Sequence, residues 1–359
     1  MNTNIIESIY KKNLTNQNLK PVSESFDPTK KTTVLVFCYA FNHEKYIARC
    51  IDSMLSQLVD FNVKIIIHND NSTDSTKEII DQYSKKYPKI ITTINQPNNL
   101  YSKDTALLPI FQYLRQFHEG EFIANCEGDD YWTDVLKLKT QVDMLKNFPE
   151  CHFCVHKVNV LNSATSEFIR TIPAKQFRVH SGVIKPNQFI SLAMKKYPFQ
   201  TSSYMFRTND FSHYLDNLPS FAKTMPTEDE SLILYFGQLG DTCYINHSFS
   251  NYMKYSEGSW SNDNNIKNVE KKILRLKLMI SSIEDFNCFT YKKFEKDCAS
   301  RVTKHQFGIL RLSNRIEDAL QDKELRKFFR HKYFRDYCDC VIRYFFKSKR
   351  KRKVNEKND

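Results

Sequence analysis

The sequence is poor in glycine, with seven in 359 residues. It contains neither GxGxxG nor GxxxxGK[ST], so the glycine-rich loops that cradle dinucleotides or nucleoside triphosphates are missing. No apolar run approaches the roughly 20 residues needed to cross a bilayer. The opening MNTNIIESIYKKNLTNQ lacks a long apolar core and a small-residue cleavage site, so no secretion signal is expected. The ten cysteines are scattered through apolar segments and read as reduced cytosolic thiols. Cys151 and Cys154 form a lone CxxC. A zinc site needs four ligands, and with no matching second pair they read as buried strand cysteines.

What is present is an ordinary apolar fraction, 41%, and a formal net charge of +12. The first argues for a packed core, and the second for an acidic partner such as nucleic acid, an anionic membrane surface or a phosphorylated small molecule. Residues 1–30 are polar and read as a loose arm. A regular alternation follows. The apolar run TVLVFC at 33–38 suits a parallel strand buried on both faces. Residues 44–58 carry apolar side chains at helical period. Strands at 63–67, 90–94 and 121–126 then alternate with helices at 73–83, 105–117 and 135–147. This order predicts βαβ units and a mainly parallel, Rossmann-like sheet flanked by helices. A strand is expected at 152–160, irregular chain over 161–200, a strand at 202–207 and a helix at 230–238. From about 265 the pattern turns to long helical stretches, 266–283, 291–312 and 316–346. The expected division is an arm (1–30), an α/β domain (31–262) and a helical, basic extension (263–359).

In open α/β sheets ligands bind beyond the carboxyl ends of the strands. Three polar strand ends are therefore candidates: Tyr39-Ala40-Phe41-Asn42, His68-Asn69-Asp70-Asn71 and Glu127-Gly128-Asp129-Asp130. In the last, three carboxylates in four residues repel one another unless a cation intervenes. Hard divalent ions commonly bridge one or two carboxylates to substrate phosphates. The alternative is a helix N-terminus decorated with acids. Asp70 either accepts from the ring N–H of a uracil or serves an Asx turn. Phe41 either stacks on a base or packs as an ordinary core side chain.

The segments VLVFCYAFNHEKYIARCIDSMLSQ, KIIIHNDNSTDST and GEFIANCEGDDYWTDVLKLKTQV resemble family 2 glycosyltransferases of the GT-A fold over residues 32–145. A looser likeness runs to 261 through FQTSSYMFR, TEDESLILYFGQLGD and YMKYSEGSWS. The resemblance implies an inverting transferase that moves a sugar from a nucleotide-sugar, a UDP-sugar, to a growing surface glycan or lipid-linked acceptor. It puts Phe41 at the base-stacking position beside Tyr39, Asp70 on the base, and Glu127 and Asp129 in the DXD motif with Asp129 as principal contact to Mn²⁺ or Mg²⁺. It puts Asp229 as the general base, with Glu228 and Glu230 adjacent. Asn69 departs from the acid usual in that turn. The loop 98–103 lacks the family's glycine, and its Lys103 reaches either phosphate or solvent. Tyr255 stands where some relatives supply a metal-binding histidine. A sugar nucleotidyltransferase would need a glycine-rich basic loop near the first strand. A non-catalytic membrane- or polyanion-binding protein would bind no donor.

The final segment places Phe329, Tyr333, Tyr337, Val341 and Phe345 at four-residue steps among Lys and Arg, followed by KSKRKRK. This basic amphipathic pattern suits an anionic membrane surface, with a helix packed on the catalytic domain as the alternative. No nucleic-acid module is present. The expected location is the cytoplasm, peripheral to the inner membrane face.

Overall fold

The β-branched run after Lys31 forms strand β1 (Thr32–Ala40), in which Val34, Leu35, Val36, Phe37 and Cys38 are all buried. Strands β2 (Asn62–Asn69) and β4 (Phe122–Glu127) are also largely buried, while β3 (Ile91–Asn95) buries only Ile91 and Ile94. They stand parallel in the order β4-β1-β2-β3. Helices α2 (Ile47–Leu55) and α3 (Thr76–Lys86) lie on the β1-to-β2 and β2-to-β3 connections. The register pairs Tyr39 with both His68 and Glu127, and Ala40 with Asn69. Strands β1, β2 and β4 therefore finish level, and their polar ends share one edge.

The computed structural model describes residues 3–99, 120–174, 180–195, 199–256, 268–338 and 340–341. The helix expected at 105–117, Lys103 and the KSKRKRK run lie outside them. Among the described residues the main sheet has ten strands. Its second half consists of β5 (Tyr131–Trp132), β6 (Cys151–Asn162), β7 (Phe168–Ile172), β8 (Gly182–Ile184), β9 (Met205–Arg207) and β10 (Asp241–Lys254). β9 inserts antiparallel between β4 and β6, while β10 runs parallel to β6. The whole is a mixed α/β sheet flanked by helices, α4 (Lys137–Asn147), α6 (Thr208–Asp216) and α7 (Glu228–Leu239) among them.

Three regions depart from the sequence reading. The N-terminal arm contains a helix, α1 (Thr3–Leu14), with Ile6 buried and Tyr10 donating to Asp134 Oδ2 at 2.6 Å. Residues 161–200 contain β7, β8 and helix α5 (Pro186–Lys195), which buries Phe189, Ile190, Ala193 and Met194. β10 was no part of the expected pattern. Its sequence, DTCYINHSFSNYMK, is too polar to signal a strand, and its backbone groups are satisfied by the distant β6.

Lys137, at the start of α4, is fully buried beside Trp132, with Nζ 3.9 Å from the ring centroid. Its ammonium has no hydrogen-bond partner, and burial lowers its pKa from 10.5 to about 7. The unfolded chain holds this proton up to its ordinary pKa, so the residue costs stability increasingly as pH falls from about 10 to 7. Lys137→Met is expected to stabilise the protein by roughly 2–4 kcal/mol at neutral pH. The gain should shrink toward pH 10, as read from urea unfolding across that range; a pH-independent gain would contradict this account.

Residues 219–227 and 266–359 form a second compact unit. Its described helices are α8 (Val269–Phe289), α9 (Glu295–Leu312) and α10 (Lys323–Lys332). Phe221 packs edge-on to Phe286 at 5.2 Å, and Phe307 gathers Phe328, Phe329 and Tyr333. Instead of one helix over 316–346, a 3₁₀ turn (Ile316–Leu320) precedes α10. Asp322 then caps α10 through the Leu325 N–H, and the chain leaves helical geometry at Tyr333 before residues 334–338 resume it. The Tyr333 ring stacks on Phe307 at 5.3 Å, and that packing replaces continued helix.

Candidate functional site

Two polar loops interlock at the carboxyl ends of β1 and β2. Asn42 adopts a left-handed φ of 54°, a conformation asparagine tolerates. Its Oδ1 accepts from the Thr73 N–H at 2.8 Å, and its own N–H donates to Ser72 Oγ at 3.0 Å. The His43 N–H donates to Thr76 Oγ1 at 2.7 Å, and Glu44 Oε2 accepts from the Ser75 N–H at 3.0 Å. The turn 72–76 thus holds the loop after β1 and leads into α3. Asn69 accepts from the Ser72 N–H and hydroxyl while its amide donates to Asn95 Oδ1 at 3.0 Å. An aspartate could not make that last bond, a physical reason for the departure at this position. The Asp70 N–H donates to Ala40 O at 2.9 Å, which sets buried Asp70 beside the half-buried Phe41 at the neighbouring strand end.

The acidic turn closes onto β1. The Gly128 N–H donates to Tyr39 O at 2.7 Å. A Cβ at Gly128 would lie 2.8 Å from His43 Nδ1 and 3.0 Å from Tyr39 O, so the close approach requires glycine. Glu127 Oε1 accepts from Thr201 Oγ1 at 3.0 Å. Burial, and after it the charges of Asp129 and Asp229, push the Glu127 pKa up to about 8. Asp129 is only 3% exposed. Its Oδ2 accepts a short hydrogen bond from Ser256 Oγ and lies 4.0 Å from His43 Nε2. Asp130 turns away, taking the Met253 N–H on Oδ1 (2.9 Å) and the Gln200 amide on Oδ2 (3.0 Å). It is a brace between the acidic turn and β10, and burial holds its pKa well above the ordinary carboxylate range.

The third component comes from α7. Glu228, Asp229 and Glu230 occupy its first turn, where the helix dipole favours negative charge. Asp229 Oδ1 accepts from the Glu230 N–H at 3.0 Å, and its charge reaches Glu127. Glu228 Oε1 is buried without a hydrogen-bond partner. Its pKa is raised well above the ordinary value by burial and then by the Asp229 charge. The Tyr39 hydroxyl sits among these groups, its pKa raised by burial and then by Glu228 and Glu127. Tyr39, Glu127, Asp129 and Asp229 thus form one acidic cluster linked through Glu127, while Phe41 and Asp70 lie at the carboxyl ends of β1 and β2.

Sequence reasoning missed His43, Gln200, Thr201 and Ser256. Thr201 and Gln200 lie 70 or more residues from their acidic partners, and Ser256 lies 127 from Asp129. No local signal marks such pairs. Tyr255, expected at a ligand position, has φ 70° and is 41% exposed. The turn at Tyr255 brings the next side chain, Ser256, onto Asp129. Among the described residues, no group of three or more His, Cys, Asp or Glu side chains is placed to hold a metal by itself.

Residues 35–195 match the family model described as Glycosyl transferase family 2. That segment, under half of the chain, is a family 2 glycosyltransferase domain by this match. Uncharacterised proteins of Mycobacterium tuberculosis and M. bovis are 31% identical to it over 226 residues, covering 62% of this chain and 58% of theirs. The chain therefore spans under two thirds of the length of these relatives. Hyaluronan synthase of Pasteurella multocida is 31% identical over 116 residues, 32% of this chain and 11% of that protein. The fold resembles residues 1–349 of S. aureus TarS, solved in complex with UDP-GlcNAc. TM-score is 0.53 at 17% identity, covering 87% of this chain and 91% of that one. That likeness establishes the GT-A type of fold.

Proposed function

We propose that this glycosyltransferase moves a sugar from a UDP-sugar to a hydroxyl of a glycan or lipid-linked acceptor, with inversion at the anomeric carbon. The observation that carries the reading is the convergence of Glu127, Asp129 and Asp229 where β1 and β4 end level, within a family 2 domain. Tyr39, Phe41 and Asp70 line the nucleoside side, with Asp70 accepting from the uracil N–H and Phe41 against the ring. The UDP-GlcNAc complex of the similarly folded TarS supports a uridine nucleotide. Lys103 is proposed as a diphosphate contact.

The donor set fits a hard divalent ion. Two neighbouring carboxylates accumulate negative charge, and the raised proton affinity of Glu127 marks the need for a cation. Asp129 and Glu127 would hold Mn²⁺ or Mg²⁺ there. Bound there, the ion supplies Lewis-acid neutralisation of the departing nucleoside diphosphate. Ser256 and Thr201 fix the two carboxyl groups. Asp229 takes the proton of the acceptor hydroxyl as its oxygen bonds to the anomeric carbon. The bond from that carbon to the diphosphate oxygen breaks on the opposite face. The protein works in the cytoplasm, peripheral to the membrane through its basic C-terminal region.

A panel of nucleotide-sugars with Mn²⁺ or Mg²⁺, read by release of nucleoside diphosphate and by nucleotide binding, tests this. Turnover of a UDP-sugar is expected. Failure of every nucleotide-sugar to bind or turn over would overturn the reading.

A further inference from the structure

We propose that the hollow lined by Lys327, Arg330, His331 and Phe334 on the C-terminal unit is a docking site for the phosphate headgroup of an anionic lipid at a membrane surface. It rests on the reading of the enzyme as peripheral to a membrane, and it gives that attachment a defined place. Lys327, Arg330 and His331 follow the i, i+3, i+4 spacing of one face of α10, and Phe334, just past the break at Tyr333, lines the same hollow. The opposite face is committed to the core. Phe329 is fully buried with its ring 5.0 Å from Phe307, and Leu325 and Phe328 pack beside it. The cationic face is therefore held outward by packing and does not depend on the residues that follow.

The hollow has a volume of about 570 Å³, enough for a phosphodiester headgroup. Two permanent cations and a histidine converge on it, and among the described residues no ion pair engages them. Six Lys and Arg against two acids occupy residues 323–338, namely Lys323, Arg326, Lys327, Arg330, Lys332 and Arg335 against Glu324 and Asp336. Phe334 is 64% exposed in their midst. An inorganic anion has no use for an exposed phenyl ring, whereas a bilayer takes the ring below its headgroups while the cations stay at headgroup level. The sequence continues from this face into KSKRKRK, which adds long-range attraction to the same surface.

The test uses the full chain and co-flotation with vesicles of phosphatidylcholine alone or enriched in phosphatidylglycerol, at about 0.15 M salt. The variants are Lys327→Glu/Arg330→Glu, Phe334→Ser and a truncation after residue 341. All three point substitutions are at exposed positions, and unchanged thermal unfolding confirms the fold. The charge reversal is expected to lower partitioning onto the anionic vesicles at least about tenfold. Phe334→Ser should lower it several-fold with the loss persisting at high salt. Loss of binding on truncation with full binding by the charge reversal would overturn the hollow and leave peripheral attachment standing. No binding by the intact protein would overturn both. Displacement from vesicles by millimolar inorganic phosphate, with Phe334→Ser binding normally, would make this a soluble-phosphate site and overturn the lipid assignment.

Discussion

Asp129→Asn is expected to lower sugar transfer by about a hundred- to a thousandfold, the loss typical of removing one group that stabilises developing charge. The substitution preserves shape, and the new amide meets the Ser256 hydroxyl, which can accept as well as donate. Thermal unfolding should therefore change little. What disappears is one of the two acidic groups offered to the ion at the carboxyl end of β4. Divalent-ion binding should weaken in parallel, measured in the presence of UDP by calorimetry or by the Mn²⁺ paramagnetic signal. There is also a readout independent of turnover. The Asp129 charge is the largest cause after burial of the raised Glu127 pKa, so in the variant Glu127 should titrate closer to an ordinary carboxylate. Full activity of Asp129→Asn in excess chelator would refute the proposed role for the ion.

Asp229→Asn should leave donor binding intact and reduce transfer by about a hundred- to ten-thousandfold, the range for losing a general base. Glu228→Gln should be far milder. Both acids sit in the first turn of α7, so position alone does not separate them. Protonation does. Burial and then the adjacent Asp229 raise the Glu228 pKa and so favour its protonated form, and a carboxylic acid that carries its proton cannot take another from an acceptor hydroxyl. Glutamine mimics that neutral form. A dead Glu228→Gln beside an active Asp229→Asn would move the base by one residue. The assay should follow both nucleoside diphosphate release and glycosylated acceptor, since hydrolysis of the donor could continue without transfer.

By itself the sequence determined the elements whose evidence is local. The runs VLVFC and III announce buried parallel strands because strands covered on both faces are dominated by apolar side chains. The amphipathic periods of α2 and α4 follow for the same reason, and the acidic turn at the end of β4 is visible because like charges rarely crowd without a cause. Tertiary structure alone decided what depends on distant partners. The polar β10 is a strand because β6 satisfies its backbone, and α1 is ordered because Tyr10 and Asn13 bond to Asp134 and Asp143. The helix expected over 316–346 breaks where Tyr333 stacks on Phe307. Within the acidic cluster, sequence spacing could not separate Asp129, which faces Ser256 and His43, from Asp130, which braces Met253 and Gln200. Adjacent carboxylates look alike in a sequence. Only the backbone turn at Gly128, the left-handed turn at Tyr255 and contacts across more than a hundred residues give them different surroundings.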